Sequence, residues 1–249
     1  MNQPAEFFVG YFQLPPGLRR FVTRLGAAVL LLTPIGAAAL ALSMPASPGA
    51  PTTDYGQALD GVFIAQPYGM VWTGGAAGLQ ATLLVQGGKH GVISPGDPLD
   101  GHAVRVSGQL LARDGTRMLE LGEAMRAAPE PGPGPILDQL RAATRDLGEV
   151  TVRGEIEDSK CYLGRMRPGS GAAHRACAKL CVRGGIPPLL VTRDGHGHEV
   201  AYVLATRGGQ AINADILPFL VEPVEVHGRL LRMGELLILQ TDPASVRRL

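Results

Sequence analysis

AVRVSGQLLARDGTRMLEL at residues 103–121 and PVEVHGRLLRMGELLILQ at residues 223–240 are two similar segments of this 249-residue chain. Apolar and polar residues alternate in both, and a glycine, Gly115 or Gly234, precedes a second apolar run. Alternation of this kind is typical of β-strands, and a glycine between two runs is typical of a tight turn, so both segments are predicted to be β-hairpins. The matching positions lie 120 residues apart in the pairs Val104 and Val224, Val106 and Val226, Gly108 and Gly228, Leu110 and Leu230, and Leu111 and Leu231.

The repeat indicates two related modules that are mainly β. A further apolar run precedes each hairpin, at residues 79–85 and 188–192, and 34 glycines with 20 prolines favour many turns and short strands. We therefore predict two small OB-like β-barrel modules, joined through a helix at residues 135–147. A second short helical piece is expected at residues 213–220. The alternative is one β-rich domain in which the similarity arose by chance.

An uncharged apolar run of twenty residues, LGAAVLLLTPIGAAALALSM, occupies residues 25–44. A run of this length is long enough to cross the hydrocarbon core of a membrane as a helix. Three arginines at residues 19–24 precede it, and no Lys or Arg follows until Lys89. By the positive-inside rule, residues 1–24 are predicted to be cytoplasmic. The chain is thus expected in the inner membrane, with its body in the periplasm or otherwise outside the cytoplasm.

A cleaved signal peptide is the alternative interpretation of the apolar run. Residues 7–12, however, carry four of the chain's eleven Phe and Tyr side chains. Aromatic residues beside a span suit a membrane interface, which favours an uncleaved anchor. The span is also rich in Gly and Ala, which let helices approach closely in lipid. A membrane-protein partner is therefore expected.

Proline- and glycine-rich breaks divide the rest of the chain. Residues 45–55 are predicted to be a linker, and a second break begins at residue 129 with PEPGPGP. These breaks give a first barrel at residues 56–128, a linker and helix at 129–147, and a second barrel at 148–249. The net charge of +1 gives no electrostatic case for nucleic-acid binding.

The three cysteines of the chain all lie in the second module, close to a histidine. They form the set Cys161, His174, Cys177 and Cys181. Residues 171–182, GAAHRACAKLCV, are predicted to form a short helix that carries the last three on one face. Cys161 comes just before this helix and is expected to fold back onto that face.

Three interpretations of this set stay open. A closed tetrahedral metal site takes four Cys or His ligands, and zinc, copper and haem iron are the candidate ions. In an oxidising compartment, a disulfide from Cys161 to Cys177 or Cys181 would leave one thiol over. An acidified thiol near Lys160 would instead support redox chemistry.

A longer pattern surrounds the cysteines: DSKC at residues 158–161, HRACAKLC at 174–181 and GGIPPLLV at 184–191. This pattern resembles a family of small exported bacterial domains of OB-like fold, with the motif D-S-x-C, H-x-x-C-A-x-x-C and G-G-x-P. The resemblance covers residues 150–241. It implies an OB-like fold for the second module and marks the three cysteines and the histidine as its site. It implies no particular activity.

Together these features predict a membrane-anchored accessory or assembly protein that is not an enzyme. Such a protein would dock to a membrane complex, of a respiratory or redox kind, and the cysteine and histidine set would shape or staple its second module. A metal- or haem-handling module is the first alternative. A thiol–disulfide redox protein is the second.

Overall fold

The structure is a computed structural model of the whole chain. It describes residues 14–43, 51–75, 78–92, 97–128, 132–193 and 198–249. The aromatic leader at residues 7–12, most of the predicted linker at 45–55 and the start of the second break at 129–131 lie outside the described residues. The chain divides into two compact units, Met1–Ser47 and Pro48–Leu249.

The first unit contains helix α1, which spans Pro16–Ser43 and includes Pro34. Its segment Pro16–Leu42 is the only described helix long and apolar enough to cross a membrane, with a mean hydropathy of 2.2. The helix begins before residue 25, the predicted start of the span, and includes the arginine-rich turn ahead of the apolar run. By length and composition α1 suits a membrane anchor, and a signal sequence meets the same criteria.

The second unit is mainly β. Its described strands are β1 (Thr52–Ile64), β2 (Met70–Gly75), β3 (Gly78–Val85), β4 (Ala103–Arg113), β5 (Thr116–Leu121), β6 (Arg126–Ala127), β7 (Thr144–Asp158), β8 (Pro188–Arg193), β9 (Glu199–Thr206), β10 (Pro223–Met233) and β11 (Leu236–Arg248). Its described α-helices are α2 (Gly134–Ala143), α3 (Arg175–Arg183) and α4 (Asn213–Ile216), with a π-helical turn at Cys161–Arg165 and 3-10 turns at Ala172–His174 and Leu217–Phe219.

The strands form two closed barrels with the same topology. In the first, the order is β1-β2-β3-β5-β4, and antiparallel pairing of β4 with β1 closes the ring. In the second, the order is β7-β8-β9-β11-β10, closed by β10 and β7. The third and fifth strands of each barrel run parallel. Two five-stranded Greek-key barrels confirm the predicted OB-like modules.

The repeated segments form β-hairpins, as predicted, and each is the last hairpin of its barrel. In the first hairpin Arg113 pairs with Thr116, and Asp114 and Gly115 have φ angles of 46° and 80°. Two left-handed residues in a two-residue loop match the right-handed twist of the paired strands. The second hairpin turns at Gly234, whose φ is 55°.

Several predicted boundaries move. Strand β1 begins at Thr52, inside the predicted linker at 45–55, because its first residues pair with β4. Strand β7 begins at Thr144, inside the helix predicted at residues 135–147, so the helix ends at Ala143. The apolar run at residues 188–192 is the second strand of its barrel, whereas the run at 79–85 is the third strand of the first barrel.

One hydrophobic core is shared by the two barrels. Trp72 and Leu83 of the first barrel and Leu189 of the second are fully buried in the same cluster. Buried apolar area is the main favourable term in folding, so this core holds the barrels together. Each barrel also has its own smaller cluster, around Leu84 in the first and Leu204 in the second.

Tyr68 ties the first barrel to the second through its buried hydroxyl. The hydroxyl donates to the carbonyl of Leu204 at 3.1 Å and accepts from the N–H of Ile212 at 3.1 Å. Both partners belong to the second barrel. A tyrosine hydroxyl can donate and accept at once, so one side chain satisfies two backbone groups.

Replacing Tyr68 by phenylalanine is expected to lower the free energy of unfolding by about 1–3 kcal/mol, because a buried carbonyl and a buried N–H lose their partner. Chemical denaturation of the full-length protein in detergent measures this loss. The matched control is Tyr55→Phe, since Tyr55 is 75% exposed and its change should be close to neutral. An equal, small effect for both variants would show that the Tyr68 hydroxyl does not join the barrels.

Candidate functional site

An insertion between β7 and β8 carries the predicted cysteine and histidine set. The corresponding strands of the first barrel, β1 and β2, are joined by residues 65–69 alone. In the second barrel, residues 159–187 form the π-helical turn, a 3-10 turn and α3. The short helix predicted at residues 171–182 is confirmed, with 3-10 geometry in its first turn.

The three cysteines converge where the insertion packs on the barrel. Cys177 and Cys181 lie one turn apart on α3, and Cys161 begins the π-helical turn. Their sulfurs all lie within 4.8 Å of one another. Cys161 and Cys181 are buried and Cys177 is half-buried, so the cluster has one edge towards solvent. Cys161 therefore folds back onto the face of α3, as predicted.

His174 lies beside this cluster and is hydrogen-bonded to Asp158. Its Nε2–H donates to Asp158 Oδ2 at 2.6 Å, and both side chains are almost fully buried. The other carboxylate oxygen, Oδ1, accepts from the backbone N–H of Cys161 at 2.9 Å. The carboxylate thus fixes the backbone of one cysteine and the ring of the histidine together.

The four predicted ligands fall into two groups. One is the three cysteines, and the other is Asp158, Cys161 and His174, again with one ligand atom of each within 4.8 Å of the others. Cys161 is common to both. His174 therefore does not join the three sulfurs as a fourth member of one compact set. Through Asp158, His174 is tied to the backbone of Cys161, one of the three sulfur donors.

A lysine from the first barrel reaches the sulfur cluster. Lys89 Nζ donates to Cys177 Sγ at 2.8 Å and lies 3.7 Å from Cys181 Sγ. The hydrogen bond to Cys177 and the attraction of Cys181 raise the pKa of Lys89, so it stays charged at neutral pH. The site is thus assembled from both barrels, and a fixed positive charge faces its sulfurs.

The two buried thiols differ in acidity. The pKa of Cys161 is raised, because its thiol donates a hydrogen bond to Cys181 and because it is buried. The pKa of Cys181 is lowered, first by that same hydrogen bond and further by Lys89, against the effect of burial. Cys181 is therefore the cysteine of this pair that first becomes a thiolate, the form that attacks disulfides and binds metals.

The loop that carries Lys89 is held by a buried lysine of the second barrel. Lys160 is 2% exposed, and its Nζ donates to the carbonyls of Gln86 at 2.9 Å and Gly88 at 2.8 Å. It also forms an ion pair with Glu120 of the first barrel at 3.3 Å. Fully buried lysines are rare unless they are paired. Lys160 is thus a structural tie between the barrels, one residue away from Cys161.

The backbone of the loop that carries Lys89 also lies in close contact with the residues that follow α3. The N–H of Gly91 donates to the carbonyl of Gly184 at 2.9 Å. A Cβ atom on Gly184 would lie 1.8 Å from the carbonyl oxygen of Lys89, and one on Gly91 would lie 1.9 Å from that of Gly185. Only glycine fits at these two positions, so Gly184 after α3 and Gly91 are both needed for the approach of the Lys89 loop.

A fourth sulfur lies at the exposed edge of the cluster. Met166 Sδ is 3.8 Å from Cys177 Sγ, and Met166 is 49% exposed. All three cysteines are free in the structure, which gives no support to the predicted disulfide staple. One described donor set that could hold an ion is therefore the three cysteine sulfurs, with a thioether close to one of them.

Three residues of the site were not assigned a role from the sequence. Asp158 stands in the DSKC pattern, so its position was visible although its role was not. The sequence places Lys160 next to a cysteine as a charge and gives no sign that it is buried. Lys89 lies 88 residues before Cys177, and no local pattern links the two.

Comparison of the chain with family models, with curated proteins and with solved structures gives no match. The resemblance of residues 150–241 to small exported bacterial domains therefore stays a prediction from the motif. The functional conclusion rests on the geometry of the site.

Proposed function

We propose that this chain is a membrane-anchored metal-binding protein that holds one soft metal ion, copper(I) in the first place, at Cys161, Cys177 and Cys181. The observation that carries the proposal is the convergence of three sulfurs within 4.8 Å, from two separate elements of the insertion. A metal bound about 2.3 Å from each sulfur would bring the sulfurs to about 4 Å of one another. Small side-chain movements are enough for that.

The chemistry of the donors favours copper(I) over zinc. Thiolates and thioethers are soft ligands that select copper(I), and Met166 supplies a thioether beside Cys177. Zinc prefers a fourth ligand such as imidazole, and His174 does not belong to the group of three sulfurs. Three thiolates with copper(I) carry two negative charges, and the ammonium of Lys89 offsets one of them.

The half-buried edge at Cys177 supports exchange of the ion with another molecule. Cys161 and Cys181 are buried, so an ion would enter and leave past Cys177 and Met166. The apolar helix α1 and the arginines ahead of its apolar run support a site held outside the cytoplasm. The docking role predicted for this body stays a prediction and is compatible with metal exchange at a membrane complex.

Titration with copper(I) tests the proposal. Full-length protein in detergent, reduced and kept anaerobic, is titrated against bathocuproine disulfonate as a competing chelator, with zinc in a parallel series. We expect about one tightly bound copper(I) per chain and weaker binding of zinc. The His174→Gln variant should bind the same amount of copper(I) with an affinity about 10- to 100-fold lower. In this proposal His174 orients a ligand and does not itself bind the metal.

Three results would each contradict a part of the proposal. One free thiol per chain with no bound copper, in protein purified without reductant and not restored by reduction, would indicate a disulfide staple. Loss of all copper in His174→Gln, with the fold intact by circular dichroism, would make the histidine a ligand. Rapid alkylation of Cys181 with no copper binding would favour the redox alternative instead.

A further inference from the structure

The insertion at residues 159–187 is strongly basic, although the chain as a whole carries a net charge of +1. It contains no Asp or Glu, and its six Lys and Arg residues are Lys160, Arg165, Arg167, Arg175, Lys179 and Arg183. Three of the six pair with carboxylates outside the insertion, at Glu120 and Glu222. The segment that carries the sulfur cluster therefore has more positive charge than its ion pairs neutralise.

An exposed apolar surface lies on α3 beside the half-buried edge of the cluster. Ala173, Ala176 and Leu180 follow one another at spacings of three and four residues, which place them on one side of the helical segment. All three are exposed, Leu180 to 51%. Met166, which is 49% exposed, lies next to Cys177 at the same edge. Together, these four apolar residues form what we call the α3 surface.

Cations flank the α3 surface. Arg183 lies three residues after Leu180 on the same side of α3, and Arg167 directly follows Met166. Both arginines are exposed, and neither forms an ion pair with a described residue. Lys89 adds a positive charge at Cys177. An apolar centre with a polar rim is the usual anatomy of a protein–protein interface, and a rim of one charge favours a partner of the opposite charge.

We propose that the α3 surface docks an acidic segment of a partner protein that exchanges copper(I) with the three sulfurs. The role of this partner rests on the proposed metal function. Carboxylates of the partner would pair with Arg167 and Arg183 and bring its own soft ligand to the ion at Cys177.

Two other occupants fit the α3 surface less well. In a symmetric contact with a second copy of this chain, the two basic insertions would face each other and repel. An anionic membrane surface would also attract the arginines. Helices that lie in the membrane interface, however, bury aromatic or several large apolar residues, and α3 exposes Leu180 as its one large apolar side chain.

Disulfide exchange at Cys177 tests docking without any metal. Three synthetic peptides each carry one cysteine in a mixed disulfide with thionitrobenzoate, flanked by glutamates, glutamines or lysines. The Cys177 thiolate attacks the peptide sulfur, a protein–peptide disulfide forms, and the coloured thionitrobenzoate anion leaves. With reduced full-length protein in detergent at low salt, we expect the glutamate peptide to react about 10-fold faster than the lysine peptide. High salt should remove most of this difference, because it screens exposed charges.

The double variant Arg167→Glu and Arg183→Glu should lose most of the preference for the glutamate peptide, since it reverses the charge of the rim and keeps Lys89 and the sulfurs. The matched control is Arg126→Glu with Arg141→Glu. It makes the same change of net charge at two arginines outside the insertion, each 76% exposed, and should keep the preference. The Cys177→Ser variant should not react, because the other two cysteines are buried.

Equal rates for the glutamate and lysine peptides, an unchanged preference in the Arg167 and Arg183 variant, or a reaction that persists in Cys177→Ser would each overturn the proposal. Protection of Cys177 in nanodiscs of anionic lipid, but not of neutral lipid, would overturn it in favour of a membrane surface. Dimers in solution that protect Cys177 would overturn it in favour of a second copy. Copper(I) binding is measured separately, so failure of docking leaves the metal proposal unaffected, and charge-selective exchange without copper(I) binding would contradict the metal proposal alone.

Discussion

The Cys181→Ser variant is expected to lose copper(I) binding almost completely, with a fall in affinity of more than about 100-fold. Removal of a group that only orients a ligand already lowers metal affinity by about 10- to 100-fold, and Cys181 is proposed as a ligand itself. Cys181 is buried, accepts the hydrogen bond of Cys161, and lies 3.7 Å from Lys89 Nζ. A serine hydroxyl fits the space but is a hard donor that copper(I) does not favour.

The competition titration described above measures this affinity. Lys89→Met is a useful companion, because it keeps all three sulfurs and removes the positive charge that faces them. It should bind about one copper(I) with reduced affinity. If Cys181→Ser kept the affinity of the unmodified protein, the ion would be held elsewhere and the three-sulfur site would be wrong. Unfolding curves of the metal-free variants show whether the fold is retained.

The Lys160→Ala variant is expected to lose about 3–5 kcal/mol of unfolding free energy, a large fraction of the stability of a typical domain. The substitution removes one of the two ion-pair partners of Glu120, which is itself 9% exposed, and leaves the carbonyls of Gln86 and Gly88 without their donor. Glu120 keeps its other partner, Arg165, at 2.7 Å. Two buried carbonyls left without a donor cost about 1–3 kcal/mol each, which accounts for most of the effect.

Chemical denaturation of the full-length protein measures the loss. Arg141→Ala is the matched control, because Arg141 is 76% exposed and pairs with an equally exposed Asp138. An exposed pair of this kind contributes at most about 1 kcal/mol. A second variant, Lys160→Met, keeps the apolar stem and separates lost packing from lost charge. A loss below about 1 kcal/mol in both Lys160 variants would contradict the view that this lysine ties the barrels together.

The barrels could be predicted because their signals are local. Alternation in residues 103–121 and 223–240, with a glycine at each turn, specifies a hairpin without any information about distant parts of the chain. The boundaries were less accurate because they depend on partners. Thr52 is part of a strand only because β4 lies beside it, and nothing in a proline-rich sequence indicates that pairing.

In the site, too, local features could be predicted and contacts with distant parts of the chain could not. Three cysteines at short spacing on and beside one helix predicted their own convergence, since helix geometry fixes which side chains share a face. Lys89 and Lys160 were not assigned because their roles come from the joint between the barrels. A lysine in a sequence is expected to lie in solvent, and its burial can be seen only when the other barrel is in place.

His174 shows what spacing alone leaves out. Its position on the face of Cys177 and Cys181 predicts a fourth ligand, and the structure places it in a group with Cys161 and Asp158, bonded to the carboxylate. Asp158 lies at the end of β7, and no local pattern in the sequence indicates its contact with the histidine.

X-ray absorption at the copper edge, on the full-length protein loaded with one equivalent of copper(I), tests the central claim most directly. The structure predicts a first shell of three sulfur scatterers, with no multiple scattering from an imidazole ring. A spectrum with an imidazole contribution that disappears in His174→Gln would show that the histidine is a ligand. A shell of nitrogen and oxygen atoms without sulfur would contradict the three-cysteine site altogether.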